Sequence, residues 1–331
     1  MGEDVLVMNE KVFMNIKFDK SKITAENVEK WFRNMLLFKP HKMNGKRLTN
    51  HKTRKYVEGK FYSGIANEVV GDDRFGLELF SEDRKSMLML TRTPLHASIT
   101  ITAEKHLAES VIKIANEFFV NYGGIVGYVC SGKDKFFQNL DQAYYFEAYG
   151  VSLEGIPLKE RKSNLDPLYV DTEYFPGHSH YGLDLWFGSC WMMWYGKEYF
   201  KYIPKEVLKG FSDCYEKIEL EDGSIRIVLH ENIWDYDLPE NRERQWAFRK
   251  FAGVDKVAHC LEKEPIRVQN PDPAVEFIYG SFEHGGNKLV KMYYDKKKQS
   301  IERSKAVYCT VSEYGENGLI WSDVIELTKS N

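Results

Sequence analysis

ASITITAEKHLAESVIKIANEFFVNYGGIVGYVC, residues 97–130, contains two strand patterns on either side of one helix pattern. Residues 97–103 alternate isoleucine with serine or threonine, which is typical of a strand. Residues 104–121 repeat apolar side chains at helical spacing, and the glycine pair after them marks the helix end. Another apolar strand pattern follows these glycines. The segment therefore predicts a βαβ-type unit.

An earlier strand and helix extend this unit. Residues 12–19 have a strand pattern, and residues 25–38 place apolar side chains at helical spacing after Thr24, a residue type that begins helices. Residues 56–62 are also predicted to form a strand. Together these patterns predict an α+β fold, a two-layer α/β sandwich with ferredoxin-like βαβ elements.

The C-terminal part differs from the rest of the chain. Four short strand patterns, separated by charged or glycine-rich turns, predict a β-rich C-terminal extension over residues 271–331. The break at Pro271-Asp272-Pro273 is the predicted linker. The preceding residues, 1–270, are predicted to form one α+β domain, within which 1–150 and 151–270 are candidate sub-lobes.

The composition is that of a folded protein without a recognisable cofactor site. With 43% hydrophobic and 29% charged residues, the 331-residue chain can bury a large core. No GxGxxG or GxxxxGK[ST] motif lies at a predicted strand–helix turn, so no nucleotide and no other cofactor is predicted. Five widely spaced cysteines without a CxxC pair argue against a structural zinc site and fit a reducing compartment.

Neither export nor a membrane span is expected from the sequence. No apolar stretch approaches the length of about 18 residues that a membrane-spanning helix needs. The N-terminus, MGEDVLVMNEK, carries acids where a signal peptide carries basic residues. A cytoplasmic location is therefore expected.

Charged residues are unevenly distributed although the formal net charge is only −3. Lys39–Lys60 contains eight lysines and arginines and one acid, whereas Asp213–Glu240 contains nine acids and two basic residues. Solvated loops and edge strands account for most runs of this kind. The alternative is a pair of oppositely charged surfaces, one of which meets a charged partner.

The segment HSHYGLDLWFGSCWMMWYGKEYF, residues 178–200, raises the question of a reactive centre. In an extended chain His178 and His180 would lie on one face, and Asp184 and Cys190 could complete a metal-ligand set. Two histidines are a weak pattern, however, so no metal is predicted and these two remain minor candidates. A catalytic role for Cys190 is not favoured, because a thiol among tryptophans is more often buried and protonated.

The aromatic residues of the same segment have a structural interpretation. Residues 183–187 alternate like a half-buried strand, and residues 190–195 are predicted to be a helix because Trp191, Trp194 and Tyr195 have helical spacing. One apolar helical face usually packs in a core. The alternative is that some of these rings line a binding groove.

Three short motifs resemble a known family. They are W-x-x-W-Y-G-x-x-Y at residues 191–199, the Ile203-Pro204 pair, and Q-x-x-F-R at residues 245–249. In this order they resemble immunity proteins of bacterial polymorphic-toxin and type VI secretion systems, over about residues 90–260. The resemblance implies a protein that binds and neutralises a cognate toxin and has no catalytic residues.

The sequence therefore predicts a non-catalytic binding protein with a protein partner. Because nuclease toxins are basic where they hold nucleic acid, an acidic face is the expected contact. A phage or bacterial inhibitor of a host defence protein would have the same features, and an enzyme using the neighbourhood of His178, His180 and Cys190 is the other alternative. Nucleic acid bound through Lys39–Lys60 is less favoured, and self-association is left open. The predicted partner-binding residues are Glu219, Glu221, Asp222, Asp235, Asp237, Trp191 and Trp194.

Overall fold

The computed structural model describes two compact units. One lies within Met1–Lys263 and the other within Glu264–Asn331. The predicted linker begins at residue 271, which lies outside the described residues, as does the predicted domain boundary at 270. The residues that the structure describes are 9–70, 74–160, 168–262, 272–315 and 318–327.

Strands and helices alternate along the first unit. Its strands are β1 (Lys11–Phe18), β2 (Lys42–Gly45), β3 (Arg54–Lys55), β4 (Phe75–Phe80), β5 (Met87–Arg92), β6 (Ala97–Glu104), β7 (Gly124–Ser131), β8 (Leu158–Glu160), β9 (Leu168–Val170), β10 (His180–Gly182), β11 (Leu185–Phe187), β12 (Met192–Tyr195), β13 (Glu216–Glu219) and β14 (Ile225–Val228). Its helices are α1 (Ala25–Asn34), α2 (Lys46–Thr49), α3 (Glu58–Val69), α4 (Ala108–Tyr122), α5 (Gly132–Asn139), α6 (Ala143–Ala148), α7 (Lys205–Gly210), α8 (Pro239–Ala252) and α9 (Val254–Glu262).

Ten of these strands, counted over the described ranges, form one sheet. Their order is β13-β14-β12-β7-β1-β6-β5-β4-β2-β3, and each neighbouring pair whose register is given is antiparallel. Strand β1 pairs with both β6 and β7, so these two run parallel to each other on its two sides. Helix α4 connects them, which makes β6-α4-β7 a βαβ unit with β1 inserted. The predicted mixed α+β class is confirmed.

The first core lies between one face of the sheet and helices α1 and α4. Alternate residues of β1 are fully buried, as period-two alternation in a strand requires. Phe18 of β1 meets Trp31 of α1 and Phe118 of α4, with ring centroids 5.2–5.3 Å apart in edge-to-face contacts. Thr24 accepts a hydrogen bond from the Asn27 N–H and so begins α1.

A second core lies on the opposite face of β7, β12 and β14. Tyr128 of β7 stacks on Trp186 of β11 with ring centroids 4.3 Å apart, and Tyr195 of β12 stacks on Phe248 of α8. Because β12 is covered on both faces, all four of its residues are buried. Such a strand has an unbroken apolar sequence instead of an alternating one.

The helix predicted over residues 190–195 is wrong, because β12 is a strand between β7 and β14. A short run that is apolar throughout fits both periods, so the spacing of Trp191, Trp194 and Tyr195 did not distinguish helix from strand. Gly196 ends β12 where the chain passes close to β7. A Cβ atom on Gly196 would lie 1.9 Å from the carbonyl oxygen of Gly124, so no other residue fits without a backbone shift.

The strand predicted over residues 56–62 is also wrong, since α3 begins at Glu58. Phe61 and Ile65 are buried one helical turn apart, and this period becomes visible only when the pattern is followed beyond residue 62. None of the helices in the described part of the chain is both long and apolar enough to span a membrane.

The second unit contains the four predicted strands. They are β15 (Val275–Tyr279), β16 (Lys288–Tyr294), β17 (Tyr308–Gly315) and β18 (Gly318–Glu326), and they form an antiparallel sheet in sequence order. Tyr293, Ala306, Cys309 and Val311 form the small core of this sheet. The unit is thus β-rich, as its sequence predicts.

His230, just after β14, gives the stability of the first unit a dependence on pH. Its side chain is buried, and burial lowers the pKa of His230 from 6.5 to about 4. In the unfolded chain the His230 side chain binds a proton below about pH 6.5, whereas in the folded chain it does so only below about pH 4. We expect the free energy of unfolding to fall as the pH decreases through this interval.

Urea unfolding at a series of pH values measures this effect, with His230→Gln as the comparison. The variant lacks the titrating group, so its free energy of unfolding should decrease less steeply between about pH 6.5 and 4. Equal slopes for the two proteins would contradict the assignment to His230.

Candidate functional site

The two histidines of the H-x-H motif lie at the open end of the β10–β11 hairpin. Leu183 and Asp184 form its two-residue turn, both with positive φ (49° and 64°), as a type I′ turn requires. At this turn Asp184 forms an ion pair with Lys17, 2.9 Å away, and accepts a hydrogen bond from Thr93. Asp184 is therefore at the far end of the hairpin from the histidines.

His178 and His180 are buried with their imidazoles in contact. The two Nε2 atoms are 3.0 Å apart. Nδ1 of His178 lies 2.5 Å from the carbonyl oxygen of Phe175 and donates to it, which makes Nε2 of His178 an acceptor. The ring of His178 is thus fixed in one tautomer by the backbone.

Arg249 of α8 supplies the donor that this acceptor needs. Its Nη2 lies 2.6 Å from Nε2 of His178, and its Nη1 donates to the carbonyl oxygens of Pro176 and His178. Nη2 and Nε also pair with Asp255 of α9. The Arg249 side chain is completely buried, and burial lowers its pKa.

Asp255 completes an inner group with the two histidines. Its Oδ1 is 3.5 Å from Nε2 of His178 and 3.3 Å from Nε2 of His180. Burial opposes ionisation of Asp255, but hydrogen bonds from His180 and Arg249, together with the positive charge of Arg249, outweigh it and hold the pKa of this carboxyl well below its usual value. The carboxylate therefore stays charged and balances the guanidinium.

An outer group extends from His180 to the surface. The rings of His180 and His259 meet edge to face with centroids 4.9 Å apart, and Nε2 of His259 is 3.4 Å from Oε1 of Glu173. One ligand atom from each of Glu173, His180 and His259 lies within 4.8 Å of the others, and the same holds for His178, His180 and Asp255. Imidazole and carboxylate are ligand types that divalent transition metals accept.

Cys190, which the sequence analysis placed with the histidines, belongs to neither of these two groups. Its Sγ donates to the carbonyl oxygens of Val129 and Met192 inside the sheet. Burial, together with the neighbouring Cys130 thiol, raises the pKa of Cys190 well above its usual value. The thiol is therefore protonated, and a thiolate is the nucleophilic form of cysteine.

The tryptophans predicted to bind a partner are inside the fold. Trp191 and Trp194 belong to the first core, where their indole N–H groups donate to the His230 carbonyl and the Asn116 side chain. Their polar atoms are thus satisfied internally.

The five predicted acidic residues lie near opposite ends of β14. Glu219 is exposed at the end of β13 and pairs with Lys205 and Lys209 of α7, at 2.6 and 3.1 Å. Glu221 and Asp222 follow in the hairpin turn that leads into β14. Asp235 and Asp237 lie in the loop after β14, so the structure separates the acids into two groups.

The basic stretch Lys39–Lys60 forms the opposite edge of the ten-stranded sheet. It includes β2, α2, β3 and the start of α3. A groove of about 530 Å³ lies along it, and four basic side chains line it without an acid: Arg47, Arg54, Lys55 and Lys60. A neighbouring groove of about 510 Å³ shares Lys55 and adds Lys39, His41, Tyr56 and Tyr62, with Glu58 as its acid.

Sequence reasoning missed the partners of the two histidines. Asp255 and His259 are one helical turn apart on α9, a spacing that places both on one helix face, and this pattern was available in the sequence. Arg249 is the last residue of the Q-x-x-F-R motif. The structure explains that motif by burial, because Gln245, Phe248 and Arg249 all face the interior from α8.

Comparison with known proteins gives little similarity. No family model matches this chain, and no curated protein matches it. Among solved structures, the crystal structure of the toxic C-terminal tip of CdiA from Pseudomonas aeruginosa in complex with immune protein matches 37% of this chain and 87% of the compared chain, at 10% identity and a TM-score of 0.24. Similarity at this level does not establish a shared fold.

Arg249 and Asp255 should stabilise the first unit cooperatively, because each compensates the buried charge of the other. Asp255→Ala leaves the buried Arg249 charge unpaired, and we expect it to lower the free energy of unfolding by about 3 kcal/mol. Arg249→Met alone removes the counter-charge of Asp255 and should also be destabilising. The double variant should lose less than the sum of the two, by about 1 kcal/mol or more, in a double-mutant cycle measured by urea unfolding. Additive losses would contradict the coupling.

Proposed function

We propose that this protein is a non-catalytic binding protein that neutralises a partner protein, as an immunity protein neutralises its cognate toxin. The observation that carries the proposal is the surface of β13, the strand that ends the ten-stranded sheet. Two large apolar side chains are exposed along this edge strand, Tyr215 (59%) just before it and Ile218 (36%) within it, and the exposed acids Glu219 and Glu221 follow them in sequence. Because side chains alternate along a strand, Ile218 and Glu219 lie on opposite faces of β13, on either side of its outer edge. We call these four residues the β13 surface.

The composition of the β13 surface fits a protein contact. Tyrosine is enriched in protein interfaces because it offers a large ring and a polar tip at a small entropy cost. One backbone edge of β13 has no neighbouring strand in the described sheet, so an extended segment of a partner could add to it. We further propose that the ferredoxin-like βαβ element in a two-layer α/β arrangement is the scaffold that supports this surface.

Acidic residues give the β13 surface a preference for basic partners. Lys205 and Lys209 neutralise much of the charge of Glu219, so Glu221 and Asp222 in the adjacent turn contribute most of the remaining negative charge. A toxin that is basic where it holds nucleic acid would be complementary to such charges. A host defence protein inhibited by a phage or bacterial protein is the alternative partner, and identification of the bound protein distinguishes the two.

Capture of the partner from cells of the native host, followed by mass spectrometry, provides the reagent for a quantitative test. Glu219→Lys with Glu221→Lys should slow association with the captured partner by about 10-fold or more at low salt, and the effect should shrink as salt increases. Tyr215→Ala should act mainly on dissociation, since it removes an anchor and not a charge.

Glu58→Lys with Glu82→Lys is the matched control. It makes the same charge change on two exposed acids, one at the start of α3 and one just after β4, and β4 is seven strands away from β13 in the sheet order. Thermal unfolding shows whether each variant is folded. Equal association rates for the β13 variant and this control would disprove the role of the β13 surface.

A second candidate function is favoured by the basic edge of the sheet. The groove lined by Arg47, Arg54, Lys55 and Lys60 continues past two tyrosines, Tyr56 and Tyr62. Basic side chains that contact phosphates, together with aromatic rings on which bases stack, are the features of proteins that bind single-stranded nucleic acid. We propose this edge as a site for a single nucleic-acid strand.

Fluorescence anisotropy with a labelled single-stranded oligonucleotide tests this second candidate. We expect binding at about 50 mM salt that weakens linearly on a log–log plot as salt increases. Arg54→Ala with Lys55→Ala should weaken binding and reduce the slope by about 1 to 2. Lys296→Ala with Lys297→Ala removes two exposed lysines of the second unit and should change neither quantity. Equal effects of the two double variants would contradict a site at this edge.

A further inference from the structure

The outer group, Glu173, His180 and His259, takes its side chains from a 3-10 turn, strand β10 and helix α9, respectively. Helix α9 packs against β10, and it carries His259 on the face that meets His180. Glu173 belongs to the 3-10 turn Thr172–Tyr174, and its Oε1 lies 3.4 Å from Nε2 of His259. Two imidazoles and one carboxylate therefore converge from three separate segments.

Arg249 divides the cluster into an inner and an outer part. A guanidinium has five N–H donors, and those of Arg249 go to Asp255, to His178 and to the carbonyl oxygens of Pro176 and His178. A positive charge is therefore already in place beside His178 and Asp255, and a metal ion there would be repelled. The N–H donors of Arg249 are thus used on the inner side of the cluster. The outer group can therefore be occupied by a different cation.

We propose that Glu173, His180 and His259 bind a divalent transition-metal ion such as Zn²⁺. Two histidines with one carboxylate form a ligand set that zinc accepts, with a further position open to water or to a group from a partner. The inference is independent of the proposed partner binding.

The geometry needs only small adjustments for this ion. Bonds of about 2.0–2.2 Å require ligand atoms about 3.3 Å apart in a tetrahedral site, and the three atoms already lie within 4.8 Å of one another. Glu173 and His259 have side chains that are 54% and 44% exposed, so they can close on the ion. His180 is buried and is held from the inner side by His178 and Asp255, which fixes the orientation of its ring as outer-shell groups do in metal sites.

Metal titration of the untagged full-length protein tests this site. After treatment with a chelator and dialysis, Zn²⁺ is added in competition with a chromogenic chelator, and Co²⁺ is added separately to record its absorption spectrum. We expect one ion per chain. His259→Ala and Glu173→Gln should each weaken Zn²⁺ binding by about 10-fold or more and change the Co²⁺ spectrum, since each removes a ligand.

His106→Ala is the matched control. His106 is an exposed histidine whose Nδ1 lies 3.5 Å from Oε2 of Glu104, so it reproduces a histidine–glutamate pair outside the cluster. It should bind Zn²⁺ as the unaltered protein does. Because Glu173 and His259 are exposed, their variants should fold, which thermal unfolding verifies. Unchanged affinity in both ligand variants, or an equal loss in the control, would overturn the proposed site.

Discussion

The double pairing of β1 is the interaction on which the rest of the first unit depends. Because β1 is hydrogen-bonded to β6 on one side and to β7 on the other, it joins the two halves of the ten-stranded sheet described here. Its buried side chains also form the centre of the first core, where Phe18 contacts the rings of Trp31 and Phe118. Without β1, helix α4 would connect two strands that have no common neighbour.

Polar contacts at both ends fix the β10–β11 hairpin over the second core. At its turn, Asp184 binds Lys17 of β1, and at its open end His178 and His180 meet Arg249 and Asp255. These groups are costly to bury singly, and their mutual contacts compensate for the lost hydration. The buried histidines and charged residues at the two ends of this hairpin thus have a structural role. A ligand-binding role is proposed only for the outer group, which reaches solvent.

The sequence allowed prediction of the fold class, the central βαβ unit and the C-terminal strands, because each has a local period or a turn signal. It did not reveal the extent of the sheet, since β12 is apolar on both faces and its spacing fits a helix equally well. Nor could it bring Asp255 and His259 to His180, because such contacts depend on long-range packing. Asp184 and Cys190 are close to the histidines in sequence, but a hairpin turn and a buried strand take them elsewhere.

The strand order has an electrostatic consequence for the two ends of the sheet. Arg54 and Lys55 form β3 at one end, and β13 at the other carries Glu216 and Glu219. Nine strand spacings of about 4.8 Å correspond to about 43 Å along the sheet between these edges, counted over the described strands. This is several times the Debye length of about 8 Å at physiological ionic strength. Counter-ions therefore screen each edge from the other, so a ligand at one end leaves the electrostatic potential at the other unchanged.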